Sequence, residues 1–392
     1  MPTIAALFWL SATLLAFTFA GYPLLIALLA RFFGKGTSTG DGTPTVTVLL
    51  IAHNEQDRIL PRIANLLASD YPHLHILVVS DGSTDDTVPR LLALHEPRLT
   101  ILQQPTRSGK PAGLNAGIAA CTTDIIVLTD ARQTFTPDTI RRLVTRLLAP
   151  GIGAVSGELQ IAPSPSGTGS GVDAYWRLER FLRHQESQLD SCIGCTGAVY
   201  AIRRTLYRPI PPDTALDDVL IPMSIALTGH RILHEPLALA HDPQPLDPSA
   251  ELRRKRRTLA GNFQLLFRHP EWLLPWRNRL WWQLLAHKYL RLLAPLLLLL
   301  ALATSAALSP IPLYRVAFLL QCAFYLLAAL GSLTSLRSKC LTLPAGFVFL
   351  NLTVLRAFYH YLTTPNLAHW QTTTPPEKRL GLSTFREDFE ES

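Results

Sequence analysis

Long apolar runs lie toward both ends of the chain, and a different pattern fills the middle. Residues 4–30, 292–314 and 316–336 contain no charged side chain. About 20 apolar residues in a helix cross a hydrocarbon layer about 30 Å thick, so each run predicts a spanning helix. The apolar stretch between Lys339 and Arg356 is shorter, and it predicts a short span or a re-entrant helix.

Between residues 43 and 248, short apolar runs alternate with stretches of helical spacing. Strands are predicted at 46–52, 76–80, 99–103 and 125–129. Helices are predicted at 55–68, from about residue 85, at 110–120 and at 173–188. The strands at 46–52, 76–80 and 125–129 are largely β-branched and apolar, as expected when both faces are buried. Repeated βα units of this length predict an α/β fold with a mainly parallel sheet and helices on both faces.

Polar residues follow these strands at the point where each strand ends. Asn54 and Glu55 follow the first strand, Asp81 ends the second, and Asp130 follows the fourth. Ligands of open α/β sheets bind beyond the carboxyl ends of the strands, so the sequence predicts a ligand site there. The chain has no GxGxxG and no GxxxxGK[ST] motif, which disfavours a dinucleotide fold and a P-loop.

Composition supports a membrane protein. Of the 392 residues, 48% are hydrophobic and only 17% are charged. The net charge of +7 is concentrated in residues 253–257 and beside the apolar runs, which favours anionic lipid headgroups or a pyrophosphate over nucleic acid as partners. Arg31 and Lys35 follow the first run and predict that the next domain is cytoplasmic. A signal peptide is disfavoured because a basic first region is absent and the run is too long.

The five cysteines do not suggest a disulfide framework, because their number is odd and their contexts are cytoplasmic or membranous. Cys192 and Cys195 form a CxxC pair. Without a second pair at zinc spacing, a metal or redox role for them is the less favoured alternative.

These patterns divide the chain into five predicted parts. They are an N-terminal anchor at 1–35, a cytoplasmic α/β domain at 43–262, an interfacial amphipathic helix at 263–290, a region of two or three membrane helices at 291–362, and a polar tail at 363–392. The interfacial prediction rests on the tryptophans, leucines and basic residues that precede an apolar run.

Six short motifs occur along the chain in a characteristic order: 52–55 (AHNE), 81–83 (DGS), 107–110 (RSGK) with Asn115, 129–132 (TDAR), 216–218 (LDD) and 254–258 (RKRRT). Together they resemble the processive membrane branch of the inverting GT-A glycosyltransferases, family 2, which includes cellulose, hyaluronan and poly-N-acetylglucosamine synthases. The resemblance implies a Rossmann-like GT-A domain. It also implies nucleotide-sugar contacts from His53, Asn54, Glu55, Asp81, Lys110, Asn115, Asp130, Arg132, Arg254 and Arg257.

The TDAR segment departs from the DxD of that family, because Arg132 replaces the second acid. A carboxylate pair there holds a divalent ion across the diphosphate. We expect Asp130 to bind Mg²⁺ or Mn²⁺ alone, and Arg132 is suited to touch phosphate oxygens directly.

The resemblance makes Asp217 and Asp218 the catalytic pair. An inverting transfer needs one carboxylate to take the proton of the acceptor hydroxyl, and Asp218 is the expected base. Adjacent acids repel, which raises one pKa. Acidic residues also stabilise a helix N-terminus, and both roles can hold together. Gly194, Thr196 and Gly197 match the small-residue loop near the acceptor.

The basic run stands at the QxxRW position of the family. Arg257 keeps the arginine, but Arg254 replaces glutamine and Thr258 replaces tryptophan. The loss of a stacking platform argues against synthesis of long polymers. A polybasic patch that binds anionic lipid is the alternative interpretation.

The sequence therefore predicts a transferase of the cell (inner) membrane that moves a hexose or N-acetylhexosamine from a UDP-sugar to a growing polysaccharide or a lipid-linked glycan. Export or accessory subunits are possible partners. The alternative is a non-catalytic nucleotide-sugar-binding subunit that scaffolds a polysaccharide export complex.

Overall fold

The computed structural model describes residues 1–36, 38–161, 169–242, 248–334, 338–364 and 367. The predicted tail at 363–392 therefore lies almost wholly outside the described residues, as does most of the Gly/Ser/Pro-rich loop between residues 163 and 171. The strands are β1 (Val46–Ala52), β2 (Leu74–Asp81), β3 (Leu99–Gln104), β4 (Ile125–Thr129), β5 (Thr134–Phe135), β6 (Ile152–Ile161), β7 (Val199–Arg203) and β8 (Arg231–Asp242).

The helices of the α/β domain alternate with these strands. They are α2 (Ile59–Leu67), α3 (Thr87–Leu92), α4 (Lys110–Ala120), α5 (Thr139–Leu147), α6 (Gly169–Leu189), α7 (Asp217–Ala226) and α8 (Pro248–Arg268). Four further helices are long and apolar enough to cross a membrane: α1 (Pro2–Phe33), α9 (Trp281–Ala307), α10 (Pro312–Leu333) and α11 (Lys339–Thr363).

The strands form one eight-stranded sheet in the order β3-β2-β1-β4-β7-β6-β8-β5. The pairs β1–β2, β1–β4, β2–β3 and β6–β8 are parallel, whereas β7 runs antiparallel to β4 and β6, and β5 to β8. The predicted α/β class with a mainly parallel sheet is confirmed.

Each face of the sheet is covered, which explains why the strands read as continuous apolar runs. In β1, Leu49 and Ile51 pack on one face with Leu114 of α4, whereas Val48 and Leu50 pack in the core on the other face. Residues i and i+2 of a strand point the same way, so one uninterrupted run supplies both cores.

Strand order places the predicted polar residues at one edge. β1 lies between β2 and β4, with Ala52 paired to Ser80 and Leu50 to Thr129. All three strands are parallel, so their carboxyl ends meet at the same edge. Asp81 is the last residue of β2, and Glu55 and Asp130 come shortly after β1 and β4, so all three lie at or just beyond that edge.

The four apolar helices carry many large side chains that are exposed on the outside. They include Leu24 of α1, Leu296 of α9 and Leu320 of α10, and Leu333 is 84% exposed. An apolar surface of this extent is suited to lipid rather than water. Inward, Tyr22 of α1 packs with Leu182 of α6 and Ala286 of α9, which attaches the apolar helices to the α/β domain.

Residues 263–290 do not form the single amphipathic helix that the sequence predicted. α8 continues to Arg268, a short 3₁₀ turn spans Pro270–Leu273, and α9 begins at Trp281. Prolines at 270 and 275 interrupt the helix because proline lacks the N–H and clashes with the preceding turn. Trp272, which is buried, packs into the core of the domain.

α11 extends well beyond the short segment predicted between Lys339 and Arg356. It runs for 25 residues, and its C-terminal part packs on α8. The rings of Phe263 and Phe358 lie 5.0 Å apart, and Ala357 is buried beside Ala260. α11 therefore covers one side of the domain.

Candidate functional site

Asp81 organises the loop that precedes α4. Its Oδ1 accepts a hydrogen bond from Ser108 N at 2.6 Å, and its Oδ2 accepts one from Gly109 N at 2.9 Å. The next residue, Gly82, has φ +59°, and a Cβ atom there would lie 2.4 Å from Arg107 N. Only glycine permits so close an approach of the two loops. Asp81 is 1% exposed, so its carboxylate fixes the loop backbone.

Lys110 joins two of the predicted carboxylates. It is the first residue of α4, as predicted, and its Nζ lies 2.9 Å from Asp130 Oδ1 and 3.4 Å from Asp217 Oδ2. Burial opposes the charge on Lys110, but these carboxylates outweigh burial and raise its pKa. Burial likewise opposes ionisation of Asp130, but Lys110, followed by Arg254 and Arg132, lowers the pKa of its carboxyl. Both groups are therefore charged near neutral pH.

Asp217 and Asp218 are the first two residues of α7. Burial, and then the neighbouring charge of Asp217, raises the pKa of Asp218 above its usual range, although nearby cations partly offset the rise. The Asp218 carbonyl accepts a hydrogen bond from Cys195 N at 2.7 Å, which holds the acceptor-loop segment against α7. A partly buried carboxylate with a raised pKa is suited to accept a proton.

Two arginines of α8 reach the same region. The charges of Arg132 and Asp130 influence the pKa of Arg254, and the charge of Arg257 influences the pKa of Asp218, so these groups lie within electrostatic range of one another. The Arg254 Nη1 and Arg257 Nε atoms are buried and have no hydrogen-bond partner among the described residues. Buried donors without a partner are costly unless a ligand accepts from them, so they indicate a place for an anion.

Arg132 has an acidic partner that the sequence did not identify. Its Nη2 lies 2.6 Å from Oδ2 of Asp242, which ends β8 and is buried. Gln133 Nε2 also approaches Asp242 Oδ2, at 3.4 Å, and Gln133 Oε1 is buried with no hydrogen-bond partner within the described ranges.

Most of these side chains line one cavity of about 1360 Å³. From the predicted set it includes Glu55, Lys110, Asp130, Arg132, Thr196, Gly197, Asp217, Asp218, Arg254 and Arg257. The cavity continues past this group toward the apolar helices, where Leu292, Phe324 and Phe347 line it.

The other predicted residues lie outside the lining. His53 Nδ1 is 2.7 Å from the Asp81 carbonyl, and Asn54 Oδ1 accepts from Thr84 N at 2.8 Å. Asn115 donates to the Ile210 carbonyl at 2.8 Å. Gly194, with φ +79°, packs against the start of α7. In this structure each of these residues supports a loop next to the cavity.

Arg183 is a cavity residue that sequence analysis missed. It lies on α6, donates to Thr196 Oγ1, and its charge acts on Asp218. Helical periodicity predicts α6 but not which of its residues meets a loop that follows it. The contact between Arg183 and Thr196 could therefore not be predicted from their spacing in the sequence.

Comparison with known proteins agrees with this geometry. Residues 47–210 match the profile "Glycosyl transferase family 2". The chain is 26% identical over 242 residues to a poly-beta-1,6-N-acetyl-D-glucosamine synthase of Staphylococcus aureus (strain MSSA476). This alignment covers 57% of this chain and 56% of the relative. It is also 26% identical over 273 residues to an N-acetylglucosaminyltransferase of Sinorhizobium fredii, covering 64% and 65%. The chain thus spans little more than half the length of the first of these relatives.

One solved structure resembles almost the whole chain. The mannosyltransferase PcManGT from Pyrobaculum calidifontis, in complex with GDP-Man and Mn²⁺, superposes with a TM-score of 0.65 at 25% identity, covering 89% of this chain and 99% of that one. The matched profile and this superposition support a GT-A fold with added apolar helices. Residues 47–210 are therefore similar to the domain described as glycosyl transferase family 2.

Proposed function

We propose that this protein is a membrane-bound inverting glycosyltransferase that moves a sugar from a nucleotide diphosphate sugar to a growing polysaccharide or a lipid-linked glycan. One observation carries the proposal. Asp218, a carboxylate with a raised pKa, lines the same cavity as Lys110 and the two arginines whose buried donors have no partner. The cavity thus combines a proton acceptor with a site for an anion.

Asp218 acts as the general base. The acceptor hydroxyl attacks the anomeric carbon from the face opposite the leaving diphosphate, and its proton passes to the Asp218 carboxylate. The new bond joins the acceptor oxygen to the anomeric carbon, while the bond from that carbon to the phosphate oxygen breaks. Burial, and then the charge of Asp217, raises the pKa of Asp218, which favours uptake of the proton.

The leaving nucleoside diphosphate gains negative charge as this bond breaks. Lys110, Arg254 and Arg257 are cations of the cavity lining that can receive it. Hydrogen bonds between charged partners are roughly twice as strong as neutral ones. Asp81 contributes by fixing the loop before Lys110.

The names of the similar proteins suggest which nucleotide sugars are candidate donors. Two of them are named for N-acetylglucosamine, whereas the structural neighbour holds GDP-Man. We propose a UDP-linked hexose or N-acetylhexosamine as the donor, with a GDP-linked sugar as the competing candidate.

A divalent ion fits beside Asp130. Asp130 and Gln133 both line the cavity, and no described residue forms a hydrogen bond with the buried Gln133 Oε1. Carboxylate and amide oxygens suit Mg²⁺ and Mn²⁺. Within the described ranges, no group of three or more His, Cys, Asp or Glu residues could hold an ion alone. We therefore assign Asp130 and Gln133 as protein ligands that act with the donor phosphates. The ion would offset charge on the leaving diphosphate.

We propose that the protein is a multi-pass protein of the cell membrane with its α/β domain in the cytoplasm. The four apolar helices support membrane insertion, and Arg31 and Lys35 at the end of α1 favour the cytoplasmic side for the domain. We also propose accessory or export subunits as partners, because a polysaccharide made on the cytoplasmic side would have to cross the membrane.

Release of nucleoside diphosphate by the purified full-length protein tests the proposal. A panel of UDP- and GDP-linked sugars is supplied with Mg²⁺, with Mn²⁺ or with a chelator. We expect turnover of one donor and its loss with the chelator. Binding of a donor without turnover, in the presence of bacterial membrane lipids and glycan acceptors, would instead favour a scaffold subunit.

A further inference from the structure

The cavity does not end at the catalytic carboxylates. Beyond Thr196 it passes a group of charged residues, here called the boundary cluster, and then enters a space between apolar helices. The boundary cluster comprises Glu179, Arg183 and Glu186 of α6, and His287, Lys288 and Arg291 of α9. It lies where the α/β domain meets the apolar helices.

The boundary cluster is tightly built. His287 is fully buried, with Nδ1 2.8 Å from Glu186 Oε1 and Nε2 3.0 Å from Glu179 Oε2. Lys288 Nζ lies 3.3 Å from Glu179 Oε2, and Arg291 also pairs with Glu179. Tyr22 of α1 donates to Glu186 at 2.5 Å. These bonds join three helices and hold the side chains in fixed positions.

The boundary cluster carries more positive than negative charge. Arg183, Lys288 and Arg291 are three cations, and Glu179 and Glu186 are two carboxylates, before His287 is counted. The Arg183 Nε atom is buried and has no hydrogen-bond partner in the part of the chain that the structure describes. An excess of cations and an unsatisfied guanidinium in a cavity wall attract an anion with several acceptor oxygens, such as a phosphate.

Apolar side chains from four helices line the cavity beyond the boundary cluster. They are Phe19 of α1, Leu292 of α9, Phe324 of α10, and Leu343, Phe347 and Leu350 of α11. The rings of Phe19 and Phe347 lie 5.0 Å apart, and those of Phe324 and Phe347 lie 5.8 Å apart. These apolar side chains offer no hydrogen bonds to a water-soluble sugar, but they can bury the surface of a hydrocarbon chain.

We infer that the acceptor is a lipid phosphate: a sugar joined through phosphate to a long hydrocarbon chain. Its phosphate lies at the boundary cluster, its chain lies along the apolar wall, and its sugar hydroxyl faces Asp218. Arg183 bonds to Thr196 of the acceptor loop, so it positions the loop and the phosphate together. This inference rests on the proposed function and names the acceptor class of the same site.

Binding of a polyprenyl phosphate to the full-length protein in nanodiscs tests the inference. We expect it to bind at least tenfold more tightly than the corresponding polyprenol, than phosphatidylglycerol and than inorganic phosphate. Equal binding of phosphatidylglycerol would assign the cavity to bilayer lipid. Equal binding of inorganic phosphate would reduce it to an anion site. Either result overturns the inference.

A pair of matched variants locates the site. Leu343→Trp fills the cavity from a side chain that is 45% exposed, whereas Leu320→Trp adds the same bulk to an outward position of α10 that does not line the cavity. We expect polyprenyl phosphate binding to weaken about tenfold in Leu343→Trp and in Arg183→Gln, and to be unchanged in Leu320→Trp. Equal effects of the two tryptophans would contradict the inference.

Donor hydrolysis in the same preparations separates the two proposals. A protein that releases nucleoside diphosphate but does not prefer the lipid phosphate overturns the acceptor assignment alone. A protein that binds the lipid phosphate but turns over no donor, even with a polyprenyl phosphate-linked sugar as acceptor, overturns the transferase proposal and leaves only a lipid-phosphate binding site.

Discussion

Gly197 lies directly against the side chain of Asp218. A Cβ atom at Gly197 would come 3.0 Å from Asp218 Oδ2 and 3.2 Å from Asp218 Cβ. The acceptor loop and the proposed base are therefore packed so closely that any side chain at position 197 would require Asp218 to shift.

This contact predicts the effect of Gly197→Ala. The added methyl displaces the Asp218 carboxylate by a few tenths of an ångström. Since a misplacement of about 1 Å can reduce the rate roughly a hundredfold, we expect kcat to fall about tenfold. Nucleoside diphosphate affinity, measured by calorimetry, is the internal control and stays unchanged. Full activity of the variant would show that Asp218 is not held by this loop.

Asp217→Asn tests the coupling within the acid pair. Asp218 accepts a proton only when it is ionised, so the rate falls as the pH drops through its raised pKa. Burial is the larger cause of the rise, and the charge of Asp217 is the second. Removing that charge lowers the pKa, so we expect the acid limb of the kcat profile to move to lower pH. Asp124→Asn, at an exposed position before β4, is the control. An unmoved limb in Asp217→Asn contradicts the coupling.

The buried donors of α8 predict the behaviour of Arg254→Lys and Arg257→Lys. Lysine keeps the charge but loses the planar fork that matches phosphate. Hydrogen bonds to charged groups contribute about 1.5–3 kcal/mol, so the Kd for the nucleoside diphosphate should rise roughly ten- to hundredfold in each. Arg268→Lys is a control on the same helix, because Arg268 pairs with Asp213 outside the cavity. Equal affinities in all three variants would remove the arginines from the donor site.

Asn115→Ala distinguishes a supporting role from a contact with the donor. Asn115 Oδ1 accepts from Tyr207 Oη at 2.6 Å and from Ile210 N at 3.0 Å. Leaving such groups unpaired costs about 1–3 kcal/mol, so thermal unfolding should occur at a lower temperature. Nucleotide affinity below the unfolding transition should change less than threefold. A tenfold loss of affinity with unchanged stability would restore the contact expected from the sequence.

The part of the fold that the sequence predicted is the part that local pattern encodes. The apolar run at 46–52 and the helix start at Lys110 both coincide with the observed elements. Asp130 follows the carboxyl end of a strand, which is where ligands of parallel α/β sheets bind. The acidic pair begins α7 for the same local reason, since carboxylates stabilise a helix N-terminus.

The rest depends on contacts that no local pattern encodes. Asp242 closes on Arg132 from the far end of β8, and Arg183 reaches Thr196 only because α6 packs across the acceptor loop. His287 was read as part of an interfacial helix, yet it is fully buried between two carboxylates. The prolines that interrupt residues 263–290 indicate a break in the helix, but the prediction rested on the tryptophans, leucines and basic residues and did not consider them.

The most direct test of the transferase proposal is the rate of donor-sugar transfer in Asp218→Asn beside wild type and Asp124→Asn. Asparagine keeps the shape of the side chain but cannot accept the proton, and a general base contributes about 10²–10⁴-fold. We predict a loss of at least a hundredfold in Asp218→Asn, with nucleoside diphosphate affinity kept and with Asp124→Asn equal to wild type. Transfer by Asp218→Asn at the wild-type rate would contradict the assignment of Asp218 as the base.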